Sequence, residues 1–172
     1  MVDVPDLAEL FGSCTRSAVH LEMRDGYPLD DPMLDEWRSG HRHDPANPAS
    51  WWRPWLEIVQ AARRRGVAVR RARIVSEPIS EYIRFEYDVT FMNIFAGEDI
   101  RWLPRRCATN IALPGNDFWV FDDDVLIVNH FAGNGDKVSA ELVDDATTTK
   151  FCATAFEAVW EKATPHAQYQ PH

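Results

Sequence analysis

A chain of 172 residues with 45% apolar and 26% charged side chains is expected to form one water-soluble domain with a sizeable core of its own. Its formal net charge of −9 argues against broad electrostatic affinity for nucleic acid, and no apolar run approaches the roughly 20 residues of a membrane helix. Cys14, Cys107 and Cys152 are odd in number and far apart, which excludes a disulfide framework and matches no zinc spacing.

The first ten residues carry acidic groups and lack the basic stretch and long apolar core of a signal peptide, so the chain is read as cytoplasmic. Asp6 to Cys14 reads as a short helix with Leu7, Leu10 and Phe11 on one face, and Ala18 to Met23 as a strand that places His20 and Glu22 on one side. Tyr27 to Ser39 holds a helix around Met33, Leu34 and Trp37. Residues 40–48, dense in Gly, Pro, Asn and Asp, form a loop. This N-terminal stretch, 1–50, is expected to extend a core spanning 51–164.

The apolar stripe of Trp52, Trp55, Leu56, Val59 and Ala62 predicts a helix from Ser50 to Arg65, capped by Ser50 and closed by Gly66. In that phase Trp52 and Trp55 face the core and Trp51 faces the surface. A strand follows over Val67–Val75. A second helix follows it, with Ser76 as cap, Pro78 in its first turn, Ile79, Tyr82, Ile83 and Val89 inward, and Gly97 past its end. Ile100 to Leu103 is a short strand.

Asn116 to Glu141 reads as consecutive antiparallel strands, broken at Asp122-Asp123-Asp124 and at Ala132 to Asp136, where Asn134-Gly135 suits a tight turn. A final helix over Ala146–Ala163 carries Phe151, Ala155, Phe156, Val159 and Trp160 on one side, capped by Asp144 or Asp145. Residues 165–172 read as a tail, frayed from Ala167 onward. The whole is an α/β (α+β) design: a single layered domain with a mixed sheet, a C-terminal antiparallel meander, and helices packed on it.

Three segments carry a resemblance: residues 61–70 (AARRRGVAVR) as a helix-to-strand unit, 118–123 (FWVFDD) as a strand and turn, and 141–145 with 156–161 as a closing strand and helix. Over the last two-thirds of the chain they resemble one half of a phospholipase D superfamily domain. In active members a His and a Lys act on phosphorus, followed by an Asp; the matching positions here are Gly115, Asp117 and Asp122. A glycine cannot attack phosphorus and a carboxylate repels phosphate, so the resemblance implies that fold without phosphodiesterase chemistry. Residues 17–25, 75–86, 101–106 and 113–123 are also similar to an uncharacterised actinobacterial family of unknown function. That resemblance implies a regulatory or accessory role beside helix-turn-helix regulators, with no catalytic residues, metal or cofactor.

Candidate ligand-binding residues are Arg73, Glu77, Arg84, Glu86, Arg105, Arg106, Asp117 and His130. Arg73, Glu77, Arg84 and Glu86 form either surface ion pairs or a polar pocket at the end of a strand. Arg105 and Arg106 either clamp a small anionic ligand or pair with Asp117 and Asp122. His130 is either structural or a proton donor facing Asp117. A metal site at His41 and His43 would need a distant carboxylate that no spacing identifies. The basic stripe from Arg63 to Arg73 reads as a solvated face. The function expected is a non-catalytic domain working through a protein partner or a bound ligand, with a small-molecule binder or enzyme using an Arg/Asp/His cleft as the alternative.

Overall fold

The computed structural model describes residues 6–27 and 31–172. In chain order its elements are α1 (Leu7–Ser13), β1 (Ser17–Glu22), α2 (Pro32–Arg38), α3 (Pro54–Arg64), β2 (Ala68–Val75), α4 (Glu81–Phe95), β3 (Asp99–Pro104), β4 (Phe118–Phe121), β5 (Val125–Phe131), β6 (Lys137–Val143), α5 (Ala146–Lys162) and β7 (Thr164–Pro165). The part of the predicted Tyr27–Ser39 helix that falls on 28–30 lies outside the described residues.

One seven-stranded sheet runs β6-β5-β4-β1-β2-β3-β7. β1, β2 and β3 are parallel, joined by helical crossovers, while the meander β4-β5-β6 and the short β7 run antiparallel to their neighbours. β1 is therefore the middle strand, so within the expected N-terminal extension Ser17–Glu22 belongs to the sheet itself.

Strand alternation sorts the core into two layers. Val19, Leu21, Ala72, Ile74, Phe118, Val120 and Leu126 face α5, where Cys152, Phe156, Val159 and Trp160 meet them. Ala18, Val69, Trp119, Phe121 and Ile127 face α1 and α3, with Met92 and Ala96 from the end of α4. Asp145 starts α5 by accepting from the amides of Thr147 and Thr148, as an acidic N-cap should. The β4–β5 turn places Asp122 and Asp123 at φ 52° and 63°, a conformation that Asp tolerates better than most residues.

Three expectations need correction. The third helix begins at Pro54, not Ser50, because the residue before a proline avoids the helical region and Arg53 is extended (φ −134°, ψ 157°). The phase of the tryptophans shifts with it. Trp51 is buried at 2% exposure, donating from Nε1 to the Asp44 carbonyl at 2.9 Å, while Trp52 and Trp55 are only partly covered. The fourth helix is capped by Ser80, whose side chain accepts from the Ile83 amide, because Ser76 instead binds the Asp25 carboxylate through its amide and hydroxyl, both at 2.6 Å. The tail is docked rather than frayed. Tyr169 stacks on Trp102 with centroids 5.5 Å apart, and the His172 carbonyl accepts from the Ile79 amide at 2.9 Å.

Candidate functional site

On the sheet face shared with α3 and α4, β2 presents Val69, Arg71, Arg73 and Val75 in succession, so two guanidiniums interrupt an apolar stripe. The parallel register sets His20 beside Arg71 and Glu22 beside Arg73, and the antiparallel register sets Trp119 beside His20. All of these side chains project from one face, and α4 closes over them with Glu86, Thr90 and Asn93.

Glu22 sits at the centre. Its Oε1 accepts from Arg71 Nη1 and its Oε2 from Arg73 Nε, each at 2.5 Å. Arg71 Nε also donates to Glu98 at 2.7 Å, and Asn93 holds the other Glu98 oxygen at 2.7 Å. Arg73 reaches Glu86 at 2.5 Å and Thr90 at 2.7 Å, and Tyr82 donates to Glu86 at 2.8 Å. The His20 ring lies flat on Trp119, 4.2 Å between centroids and 2° between planes. Its Nδ1 is 2.7 Å from the Phe118 carbonyl and its Nε2 is 3.2 Å from Glu22. Both ring nitrogens thus lie within reach of a protein oxygen.

Arg71 and Arg73 are 8% and 5% exposed, so their charges survive only because they are paired. Burial alone would raise the Glu22 carboxyl; the two guanidiniums overcome it and hold the group well below the usual carboxylate range. Asp117, beside the network, behaves oppositely. Burial pushes its carboxyl up against the opposing effect of the Tyr27 hydroxyl that donates to it, and its other oxygen accepts from the Met23 amide at 2.9 Å. Burial, with Glu22 and Asp117 nearby, pushes the Tyr27 phenol up as well.

These groups form the floor of a cleft of about 420 Å³. Trp55, Trp119, Tyr82 and Phe131 give it apolar walls, and Arg24, Arg53 and Lys137 also line it. Among the described residues none of these three cations has a carboxylate partner. Arg53 touches the Met92 sulfur at 3.8 Å, and Arg24 lies over the Phe131 ring at 4.7 Å with its Nε buried and without an acceptor.

Of the eight residues nominated from sequence, Arg73, Glu86 and Asp117 come together here. The other five lie elsewhere. Glu77 pairs with Arg106 and accepts from the Tyr169 hydroxyl at 3.0 Å, on the side where the C-terminal segment docks. Arg84 is exposed on α4. Arg105 donates to Ser76 at 3.0 Å and to the Met23 carbonyl at 2.6 Å, and lies 3.3 Å from Asp25, so neither arginine pairs with Asp117 or Asp122. His130 meets Glu141 at 2.7 Å. Asn129 lines the cleft, so alternation turns His130 away from Asp117. Asp122 accepts from the amides of Thr15, Arg16 and Ser17, tying the β4–β5 turn to the start of β1.

Sequence reasoning missed Arg24, Tyr27, Arg71, Glu98 and Trp119, and recorded His20 and Glu22 without nominating them. A usable signal existed: His20-x-Glu22 and Arg71-x-Arg73 both put charged residues two apart inside strands with apolar ends, which places them on one face.

The fold is that of the phospholipase D class. The structure is similar to that of Nuc from Salmonella typhimurium, a phospholipase D family member, with a TM-score of 0.51 and 10% identity over 92% of this chain and 86% of that one. The likeness thus takes in the N-terminal strand as well as the last two-thirds. TrmBL2, an archaeal chromatin protein described with a novel mode of DNA binding, gives a TM-score of 0.49 at 11% identity over 91% of this chain and 47% of that one. No curated protein matches the sequence. Residues 5–171 match the family described as a domain of unknown function (DUF6879), and the chain belongs to that family. No described helix is long and apolar enough to cross a membrane.

Proposed function

We propose that this chain is a non-catalytic, ligand-binding domain of a cytoplasmic regulatory system, a phospholipase D-like fold that senses a small anionic molecule and answers to a helix-turn-helix partner. The observation that carries the reading is Arg24. Its guanidinium lines the cleft with a buried Nε that has no acceptor among the described residues, and a buried donor left unsatisfied costs about 1–3 kcal/mol. A phosphate or carboxylate oxygen would supply that acceptor, with Arg53 and Lys137 lining the same cleft to share its charge. Trp55, Tyr82 and Phe131 suit an apolar or aromatic body attached to the anion.

The non-catalytic reading is supported by the resemblance, which matches Gly115 and Asp117 to the His and Lys of active phospholipase D members, and by His20, whose two nitrogens both lie against other protein groups. The regulatory role and the actinobacterial setting follow from the family resemblance. Thermal-shift screening with nucleotides, sugar phosphates and dicarboxylates is the direct test. A stabilising ligand whose shift disappears in Arg24→Ala, with no product formed on incubation, is the expected result. Hydrolysis of a generic phosphodiester lost on His20→Ala would overturn the non-catalytic reading. Co-purification of a helix-turn-helix protein from the native source, or its failure, decides the partner.

A further inference from the structure

We propose that Glu36, His41 and His43 form a surface site for one borderline transition-metal dication of the zinc, nickel, copper or cobalt kind. The site lies at the C-terminal end of α2, apart from the cleft, and stands independently of the reading above.

The backbone builds it. Helix α2 closes through Gly40 at φ 95°, with the His41 amide donating back to the Glu36 carbonyl and the Gly40 amide to the Trp37 carbonyl, both at 3.0 Å. This is a Schellman closure, and it folds His41 back beside Glu36. Arg42 then turns away: its Nη1 donates to the carbonyls of Trp37 (2.8 Å) and His41 (2.7 Å), and its guanidinium lies over the Trp37 ring at 4.5 Å. With Arg42 withdrawn, the imidazoles on either side of it meet. Asp44 anchors the far end of the loop through the Trp51 indole at 2.9 Å. The loop is therefore held at both ends.

The donor geometry suits a metal. One ligand atom from each of Glu36, His41 and His43 lies within 4.8 Å of the other two. His41 Nε2 and His43 Nδ1 are 3.4 Å apart, with the rings nearly perpendicular at 85°. That separation is long for a hydrogen bond but equals the edge of a tetrahedron, about 3.3 Å, for metal–nitrogen bonds of about 2.05 Å. The exposed Glu36 brings a carboxylate oxygen within 4.8 Å of both imidazole ligand atoms to serve as the third ligand, leaving a fourth position for water. Two imidazoles and one carboxylate favour these ions over magnesium or calcium, which take oxygen ligands.

Calorimetric titration of untagged protein with zinc chloride, with magnesium chloride as control, tests the site. One zinc per chain is expected, with no magnesium heat, and His41→Ala or His43→Ala should each weaken binding by more than about tenfold. Cobalt(II) should give a visible absorption band that the same variants abolish. Because these side chains are exposed or half-buried, thermal melting should show the variants folded. Zinc binding no tighter in the wild type than in the His41→Ala/His43→Ala double variant overturns the proposal.

Discussion

Glu22 and Arg73 face each other across the paired strands β1 and β2, joined Oε2 to Nε at 2.5 Å, with the Arg71 Nη1 on the other carboxylate oxygen at the same distance. Glu22 thus bridges two buried guanidiniums whose remaining charge is met by Glu98 on Arg71 and Glu86 on Arg73. Buried pairs of this kind add little net stability compared with apolar packing, yet removing one member is costly because its partners stay buried and charged.

Glu22→Gln is accordingly expected to lower unfolding stability at neutral pH by about 3 kcal/mol, read from urea denaturation. The pH dependence has a definite sign. A carboxyl whose folded pKa is depressed contributes stability that is present above its unfolded value and lost as pH falls through the folded value. The gap between wild type and variant should therefore be full at pH 7 and narrow below about pH 4. A gap that stays constant down to acid unfolding would show that Glu22 acts by packing rather than by charge.

Asp117 provides the opposite case. Its folded pKa is raised, chiefly by burial, so ionising it costs more in the folded chain than in the unfolded one. The penalty is absent below the unfolded value near pH 3.9 and complete above the folded value. Asp117→Asn keeps an acceptor for the Met23 amide and a partner for Tyr27, and it removes the ionisation. Relative to wild type the variant should gain stability as pH rises from about 4 to 7. Denaturation midpoints at those two pH values check it, and a relative loss would place the carboxylate's hydrogen bonds above its desolvation.

The sheet and its helices were legible where local signals agree with tertiary packing. The Asp145 cap and the meander turns each point one way, as does the α5 stripe of Ala155, Phe156, Val159 and Trp160, although Phe151, expected on that side, is exposed, and Cys152 takes its place in the core. The site was legible only in part, because its pairings cross long sequence distances. Glu22 meets Arg71 and Arg73 about 50 residues on through a parallel register that no turn fixes, and a slip of one residue would send every one of these side chains to the other face. His130 was misplaced for the same reason: its parity depends on which neighbour, Asn129 or His130, the register turns toward the cleft. Arg105 lay beyond reach because its partner Asp25 sits in the irregular segment after β1.

Asp122 should prove structural rather than functional. Burial opposes its ionisation, but the amides of Ser17, Thr15 and Arg16 overcome that and lower its pKa. Asp122→Ala removes four accepted hydrogen bonds, three from amides and one from the Thr15 hydroxyl, and leaves a β-carbon at φ 52° without the local hydrogen bonding that favours Asp there. A loss of about 2 kcal/mol is expected after allowing for partial exposure, with ligand affinity in the cleft unchanged. Calorimetric melting together with the thermal-shift screen separates the two effects.

The C-terminal segment is the last element whose role a substitution can expose. Tyr169 lies 9° from parallel over Trp102, the Tyr87 hydroxyl donates to its carbonyl at 3.0 Å, and its own hydroxyl reaches Glu77 at 3.0 Å. Trp102 is fully buried and stands next to Arg73 in register, with the Arg73 guanidinium 5.0 Å from its ring. Removing the tyrosine ring uncovers Trp102 and loosens one wall of the charged network. Tyr169→Ala is therefore expected to cost about 3 kcal/mol, and Tyr169→Phe, which keeps the stack and loses only the Glu77 contact, about 1 kcal/mol. Equal losses in the two variants would assign the segment's docking to the hydroxyl instead of the ring. Tryptophan fluorescence during denaturation follows both.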